Sequence, residues 1–135
     1  MANSCVIIRH AKARGEWVEL RFMTRAAELG LRVTKPWGDN APYDFAVEYE
    51  GRFVRVQVKC TQAKRWNSYR CNLAANHIPY TSDQIDFIAA YVIPADTWYI
   101  LPIKAVEGQP DVLLTPHRKT SKHARYKEAW HLLMR

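Results

Sequence analysis

The run Arg52–Thr61 alternates along its whole length. Val54, Val56 and Val58 fall on one face, and Phe53, Arg55, Gln57 and Lys59 on the other. Period-two alternation marks a strand buried on one side. A shorter alternating run, Tyr43–Tyr49, precedes it, and Glu50-Gly51 separates the two. The pair predicts a β-hairpin with a two-residue turn. Such a turn pairs Tyr49 with Arg52, Val47 with Val54 and Asp44 with Gln57. Directly opposed Cβ atoms lie about 5 Å apart. Lys59, two residues beyond Gln57, shares its face and stands diagonal to Asp44. A carboxylate, an amide and an ammonium therefore gather at the open end of one hairpin. A bulge or longer loop would spoil this register, because a one-residue slip flips every side chain.

The rest of the chain surrounds that hairpin. Residues from about Ala11 to Leu29 predict a helix. Val18, Phe22, Ala26 and Leu29 recur at helical spacing, and Trp17, Leu20 and Met23 widen the stripe. Gly30 is a natural stop, since glycine accepts the left-handed conformation found just past helix ends. Pro36, Gly38, Asp39, Asn40 and Pro42 make a loop. Further strands are predicted at Tyr69–Leu73, Asp86–Ile93 and Thr97–Ile103, the last two joined at Pro94-Ala95-Asp96. The tail, about Ser121 to Met134, reads as a helix with Tyr126, Ala129, Trp130 and Leu133 on one side. Helix, about five strands, then helix predicts an α/β (α+β) domain. No repeat, linker or low-complexity segment breaks the 135 residues, so a single domain spanning 1–135 is expected.

Several function classes drop out. The longest run free of polar residues is Phe87–Ala95, and a membrane span needs about 20 apolar residues. Val6-Ile7-Ile8 is too short for a signal-peptide core, so a cytoplasmic protein with no membrane partner is expected. Cys5, Cys60 and Cys71 are an odd, unclustered set that suggests no disulfide framework. A zinc site from Cys60, Cys71 and His77 is disfavoured against Cys71 packing as a small hydrophobe. No phosphate-binding glycine loop or nucleophile elbow is present. What remains is a strongly basic chain, 20 Lys and Arg against 13 Asp and Glu, net charge +7. Nucleic acid is the commonest polyanion that such a charge attracts.

The hairpin group suits phosphodiester cleavage. That reaction needs a divalent cation to polarise phosphate and activate water, and a positive group beside the developing charge. Mg²⁺ prefers oxygen ligands and uses one or two carboxylates. Asp44 supplies a carboxylate, Gln57 an amide oxygen, and Lys59 a cation. The first helix offers Glu16 and Glu19. Glu19 has Phe22 and Met23 at the following helical positions, so no local base pairs with it. Spacing alone leaves a plainer account open: Asp44 as a turn residue, Gln57 and Lys59 as a solvated strand face, Glu19 as an exposed helix acid.

Tyr43-Asp44-Phe45 followed by Arg55-Val56-Gln57-Val58-Lys59 resembles the PD-(D/E)XK nuclease signature, with Gln57-Val58-Lys59 at the (D/E)XK element. Gly15-Glu16-Trp17-Val18-Glu19 resembles the family's first helix with its acid. Pro36-Trp37-Gly38-Asp39-Asn40, Ala89–Pro94 and Thr97-Trp98-Tyr99 are most similar to the branch with group I intron homing endonucleases, and more distantly to Holliday junction resolvases. The resemblance covers roughly Ala11 to Val106. It implies a restriction-endonuclease-like core, a mixed central sheet of about five strands flanked by helices. It further implies Asp44 as the central metal ligand, Lys59 as the catalytic lysine and Glu19 as the helix acid, with Gln57 in place of the usual acid and Mg²⁺ or Mn²⁺ as cofactor. The loss of that acid removes a negative charge from the metal set.

Two basic segments are expected on DNA. Lys64, Arg65, Asn67, Tyr69 and Arg70, with Trp66 among them, interleave charge and aromatic rings after the hairpin. Arg118, Lys119 and Lys122 lie in His117–Lys127, which holds five Lys or Arg, two His and no acid. The expected activity is Mg²⁺-dependent DNA cleavage, homing-type double-strand cutting first, by a homodimer or homotetramer. A junction resolvase, a host-defence nuclease, a non-catalytic DNA-binding protein and a protein-interaction module are the alternatives.

Overall fold

A computed structural model describes residues 6–135; Cys5 lies outside them. Helix α1 (Ala11–Glu28) is followed by strands β1 (Arg32–Thr34), β2 (Phe45–Tyr49), β3 (Arg52–Thr61), β4 (Lys64–Arg65), β5 (Ser68–Asn72), β6 (Ala74–Ala75) and β7 (Ile78–Pro79). Then come β8 (Phe87–Val92), β9 (Thr97–Pro102), the one-turn helix α2 (Ile103–Val106) and β10 (Asp111–Leu114). The central sheet has the order β1-β2-β3-β8-β9. All its pairs are antiparallel except β3 with β8, which are parallel and join Val56 to Phe87 through Thr61 to Val92. The mixed α+β class and five-stranded sheet agree with the sequence reading.

The hairpin register is also as read, with Tyr49↔Arg52 and Val47↔Val54. Glu50 and Gly51 both take positive φ, +50° and +81°. That is the turn whose twist matches a right-handed hairpin. α1 ends at Glu28, capped by Leu29, and Gly30 just past it takes φ +84°.

Two cores explain the strand patterns. Val18, Phe22 and Ala26 of α1 pack on Phe45, Val47, Val56, Val58, Ala89, Tyr91, Trp98 and Ile100. On the opposite face, Ile88, Ala90, Val92, Tyr99 and Leu101 pack against Cys71, Leu73, Tyr80, Ile103, Val112 and Leu114. β8 and β9 are thus covered on both sides and read as continuous apolar runs. β3 contributes valines to the first core, while its other face carries Arg55, Gln57 and Lys59.

Four expectations need correction. The strand predicted at Tyr69–Leu73 is β5, but it joins β10 and β4 in a separate three-stranded sheet. Its place in the central sheet belongs to β1, whose three residues are too few to show a period. Leu20 is 58% exposed and widens no buried stripe. The tail is not an α-helix. It forms two 3₁₀ segments, Ala124–Tyr126 and Trp130–Met134. Glu128 interrupts it at φ +50° because its carboxylate accepts from the Trp98 amide (2.9 Å) and the Trp130 indole (2.8 Å). Those bonds dock the tail on β9. Lastly, the face away from α1 is covered by the small sheet and α2, not by a second long helix.

Arg55 fixes the crossing from β3 to β8. Its backbone and guanidinium donate to both Asp86 oxygens at 2.7–3.1 Å, and its remaining donors reach the carbonyls of Asp83 and Ser82. Among the described residues no helix is long and apolar enough to cross a membrane.

Candidate active site

The ladder ends at Phe45↔Val56. One residue earlier the chain turns, and Asp44 donates its amide to the Val56 carbonyl at 2.9 Å. The predicted Asp44–Gln57 pair is therefore not a ladder pair. The turn aims the Asp44 carboxylate along β3, where Oδ2 accepts from the Val58 amide at 2.8 Å. One oxygen is fixed by backbone, and the carboxylate's orientation follows.

Burial pushes the Asp44 carboxyl up from its ordinary value. The Val58 hydrogen bond opposes this, the Glu19 charge adds to it, and the Lys35 and Lys59 charges oppose it. Asp44 thus lies partly desolvated in the field of a second carboxylate, Glu19, and of two ammonium groups, Lys35 and Lys59. Glu19 comes from α1. Its partner is non-local: Lys35 Nζ stands 3.2 Å from Oε1, in the loop after β1, and lies 5.0 Å from the Phe45 ring centre. Helical spacing could not reveal a base sixteen positions away. Lys35 carried no signal in the sequence reading.

Lys59 Nζ donates to the Ala74 carbonyl at 3.2 Å and sits 5.4 Å from the centre of the Tyr80 ring. Tyr80 is 8% exposed, at the edge of the second core. Burial, and then the Asp44 charge, raise its phenol. Gln57 follows on the same half-buried face of β3. A cleft beside these groups is lined by Lys35, Pro36, Gly38, Asp39, Tyr43 and Asp44.

The oxygen donors present, two carboxylates and an amide, fit a hard divalent cation. Among the described residues no three His, Cys, Asp or Glu side chains cluster. Gln57, on β3, is an amide and adds no acid to Asp44 and Glu19, and Cys60, Cys71 and His77 make no zinc site. Cys71 is fully buried, which pushes its thiol up to about 12 and leaves it packing as a hydrophobe.

Residues 9–133 match the model of the PD-(D/E)XK endonucleases. The chain belongs to that family. Its structure is similar to that of a bacterial homing endonuclease, I-Ssp6803I, with a TM-score of 0.80 and 26% identity over 94% of this chain and 93% of that one. No functionally curated protein matches the sequence. The family is one of endonucleases, which supports a nuclease and implies DNA as the substrate.

The basic segments converge in part. Lys64, Arg65 and Asn67 are exposed on the β4–β5 hairpin. Arg118 and Lys122 line one groove with Ser68, next to the turn of that hairpin, and Lys119 is exposed in the same segment. Two residues differ from expectation. Tyr69 is 7% exposed in the second core, because β5 turns that face onto β10 and the central sheet. Arg70 is held by Asp111 at 2.8 Å, so its charge is already balanced. Asp86, unassigned from sequence, serves Arg55.

Proposed function

We propose that this PD-(D/E)XK chain is a divalent-metal-dependent DNA endonuclease of the cytoplasm that cuts both strands of a duplex in homing fashion. The observation that carries the reading is Asp44, half-buried, locked by the Val58 amide and sharing its field with Glu19 and Lys59. Asp44 and Glu19, with the Gln57 amide oxygen, would hold Mg²⁺ or Mn²⁺. When bound, such an ion neutralises charge on the scissile phosphate and lowers the pKa of a water. Lys59, placed by Ala74 and Tyr80, holds a positive charge where the phosphate becomes more negative. Lys64, Arg65, Asn67, Arg118, Lys119 and Lys122 supply phosphate and sugar contacts.

One chain offers one such site, so two cuts call for a homodimer or homotetramer on a symmetric target. The homing assignment draws support from the likeness to I-Ssp6803I along nearly the whole chain. The test is plasmid cleavage. Wild type nicks or linearises DNA with Mg²⁺ and not with EDTA, while Asp44→Ala binds DNA and does not cut. Parallel assays on linear duplex and four-way junctions separate homing-type or host-defence cleavage from junction resolution.

The incomplete acid cluster at Gln57 favours one other reading, a DNA-binding protein that kept the fold and lost catalysis. That reading predicts salt-sensitive DNA binding with no cutting of any DNA form in Mg²⁺ or Mn²⁺.

A further inference from the structure

Trp66 stands at the tip of the β4–β5 hairpin, 92% exposed. The ladder pairs Arg65 with Ser68, so Trp66 and Asn67 form a two-residue turn. The first residue of such a turn takes a positive φ, a conformation that glycine adopts without steric cost. Here it is tryptophan, at φ +61°. A bulky residue in that region is an outlier, and such outliers gather at functional sites. The fold gains no packing in return, because the indole belongs to neither core.

The surroundings specify the partner. Lys64 and Arg65 lead into the turn, both exposed and with no ion pair among the described residues. Arg118 and Lys122 line the groove at Ser68, the residue that follows the turn. An apolar ring carried on a cationic arm complements a polymer with flat π-faces inside and anionic phosphates outside.

We propose that Trp66 is a base-stacking residue: the β4–β5 hairpin enters a groove of duplex DNA and the indole wedges into a base step. Lys64 and Arg65 hold the phosphates on either side. The proposal rests on the DNA endonuclease reading and adds to it a contact with the base stack, separate from charge. A wedge must unstack the step it enters, so it favours flexible pyrimidine–purine steps over stiff A-tracts. The hairpin thereby contributes sequence preference through deformability.

The test uses the full chain in Ca²⁺, which keeps the probe intact, and a mixed-sequence duplex carrying 2-aminopurine at successive steps. Wild type unstacks the probe at one step, raising its fluorescence. Trp66→Ala abolishes that rise and weakens binding about five-fold or more, the lower end for loss of one stacked base. Trp66→Phe retains most of both. The salt dependence is unchanged in Trp66→Ala, whereas Lys64→Ala or Arg65→Ala each lowers the slope by about one. Trp66→Gly melts no lower than wild type, because glycine relieves the positive φ. The proposal is overturned if Trp66→Ala binds and unstacks the duplex as wild type does. It is also overturned if the variant's weaker binding follows a change in oligomeric state by sedimentation, which would place the indole between copies of the chain. A wild type that binds no duplex would instead overturn the endonuclease reading itself.

Discussion

The Lys59 ammonium rests 5.4 Å from the centre of the Tyr80 ring while donating to the Ala74 carbonyl at 3.2 Å. A lysine side chain is long and loses much rotamer freedom when it is held. Here a ring face and a carbonyl hold it. Both belong to the excursion between β3 and β8 that makes the crossing parallel. The position of the ammonium relative to Asp44 thus depends on a segment far from the hairpin in sequence.

That arrangement predicts a split between two Tyr80 variants. Tyr80→Phe keeps the ring face and retains near wild-type cleavage. Tyr80→Leu loses it, and a partly desolvated cation–π contact of about 1–2 kcal/mol corresponds to a fall of roughly 5- to 30-fold in kcat. KM for DNA stays within two-fold, roughly, since the ring makes no phosphate contact. Single-turnover cleavage over a range of DNA concentrations separates the two parameters.

Lys35 predicts an effect of opposite sign. It sits 3.2 Å from Glu19 and its charge acts on Asp44, so a cation must compete with it for those carboxylates. Lys35→Met should tighten Ca²⁺ or Mg²⁺ binding. The pair is exposed on the lysine side, and exposed pairs contribute up to about 1 kcal/mol, so the gain is about five-fold at most. Calorimetric titration measures it without turnover. Weaker binding in the variant would instead make Lys35 part of the scaffold that holds Glu19 in place.

Asp86 predicts an acid-sensitive crossing. Burial raises its carboxyl, but the hydrogen bonds and charge of Arg55 outweigh burial, so the net value lies below the ordinary 3.8. A carboxyl lowered by folding contributes stability that is complete above its unfolded value and is lost as pH falls through its folded value. Asp86→Asn should cost about 1–3 kcal/mol at neutral pH, leaving Arg55 donors poorly matched. The difference from wild type should narrow on acidification below about pH 4, near the ordinary carboxylate value. Urea unfolding at a series of pH values tests both statements.

Much of this fold is visible from periodicity alone. The β2–β3 register follows from Glu50-Gly51 and alternating valines, and α1 from a buried stripe that ends at Gly30. β1, with three residues, and β4, with two, are too short to carry a period, and although β5 is legible as a strand, nothing local says which sheet it joins. The tail failed for another reason. Its apolar spacing is helical, yet Glu128 is recruited by Trp98 and Trp130, and tertiary hydrogen bonds override local propensity there. At the candidate site, the nearness of Asp44 to the β3 strand that carries Gln57 and Lys59 is legible because all three belong to one hairpin. Lys35 and the role of Tyr80 are not, because each acts across a sequence gap that no spacing rule spans. The burial of Tyr69 and the Arg70–Asp111 ion pair are not legible, because loop composition does not tell a residue that faces a core, or an acid on β10, from one that faces only solvent.

Asp44 itself predicts a trade of stability for function. Its carboxyl is raised by folding, so the folded chain favours the protonated form and the ionised form is held at a cost. At neutral pH that cost is present in full. As pH falls through the raised folded value toward the ordinary one, protonation removes it. Asp44→Asn keeps an oxygen to accept the Val58 amide and removes the charge. The variant should therefore melt above wild type at pH 7, and the two melting curves should converge on acidification. Cleavage should be lost in the same variant at every pH, because a neutral amide cannot replace the charged ligand. Scanning calorimetry beside plasmid cleavage reads both effects. If Asp44→Asn melts below wild type at pH 7, the carboxylate is stabilising the β2–β3 junction, and its burial does not reflect a site held against the fold's own preference.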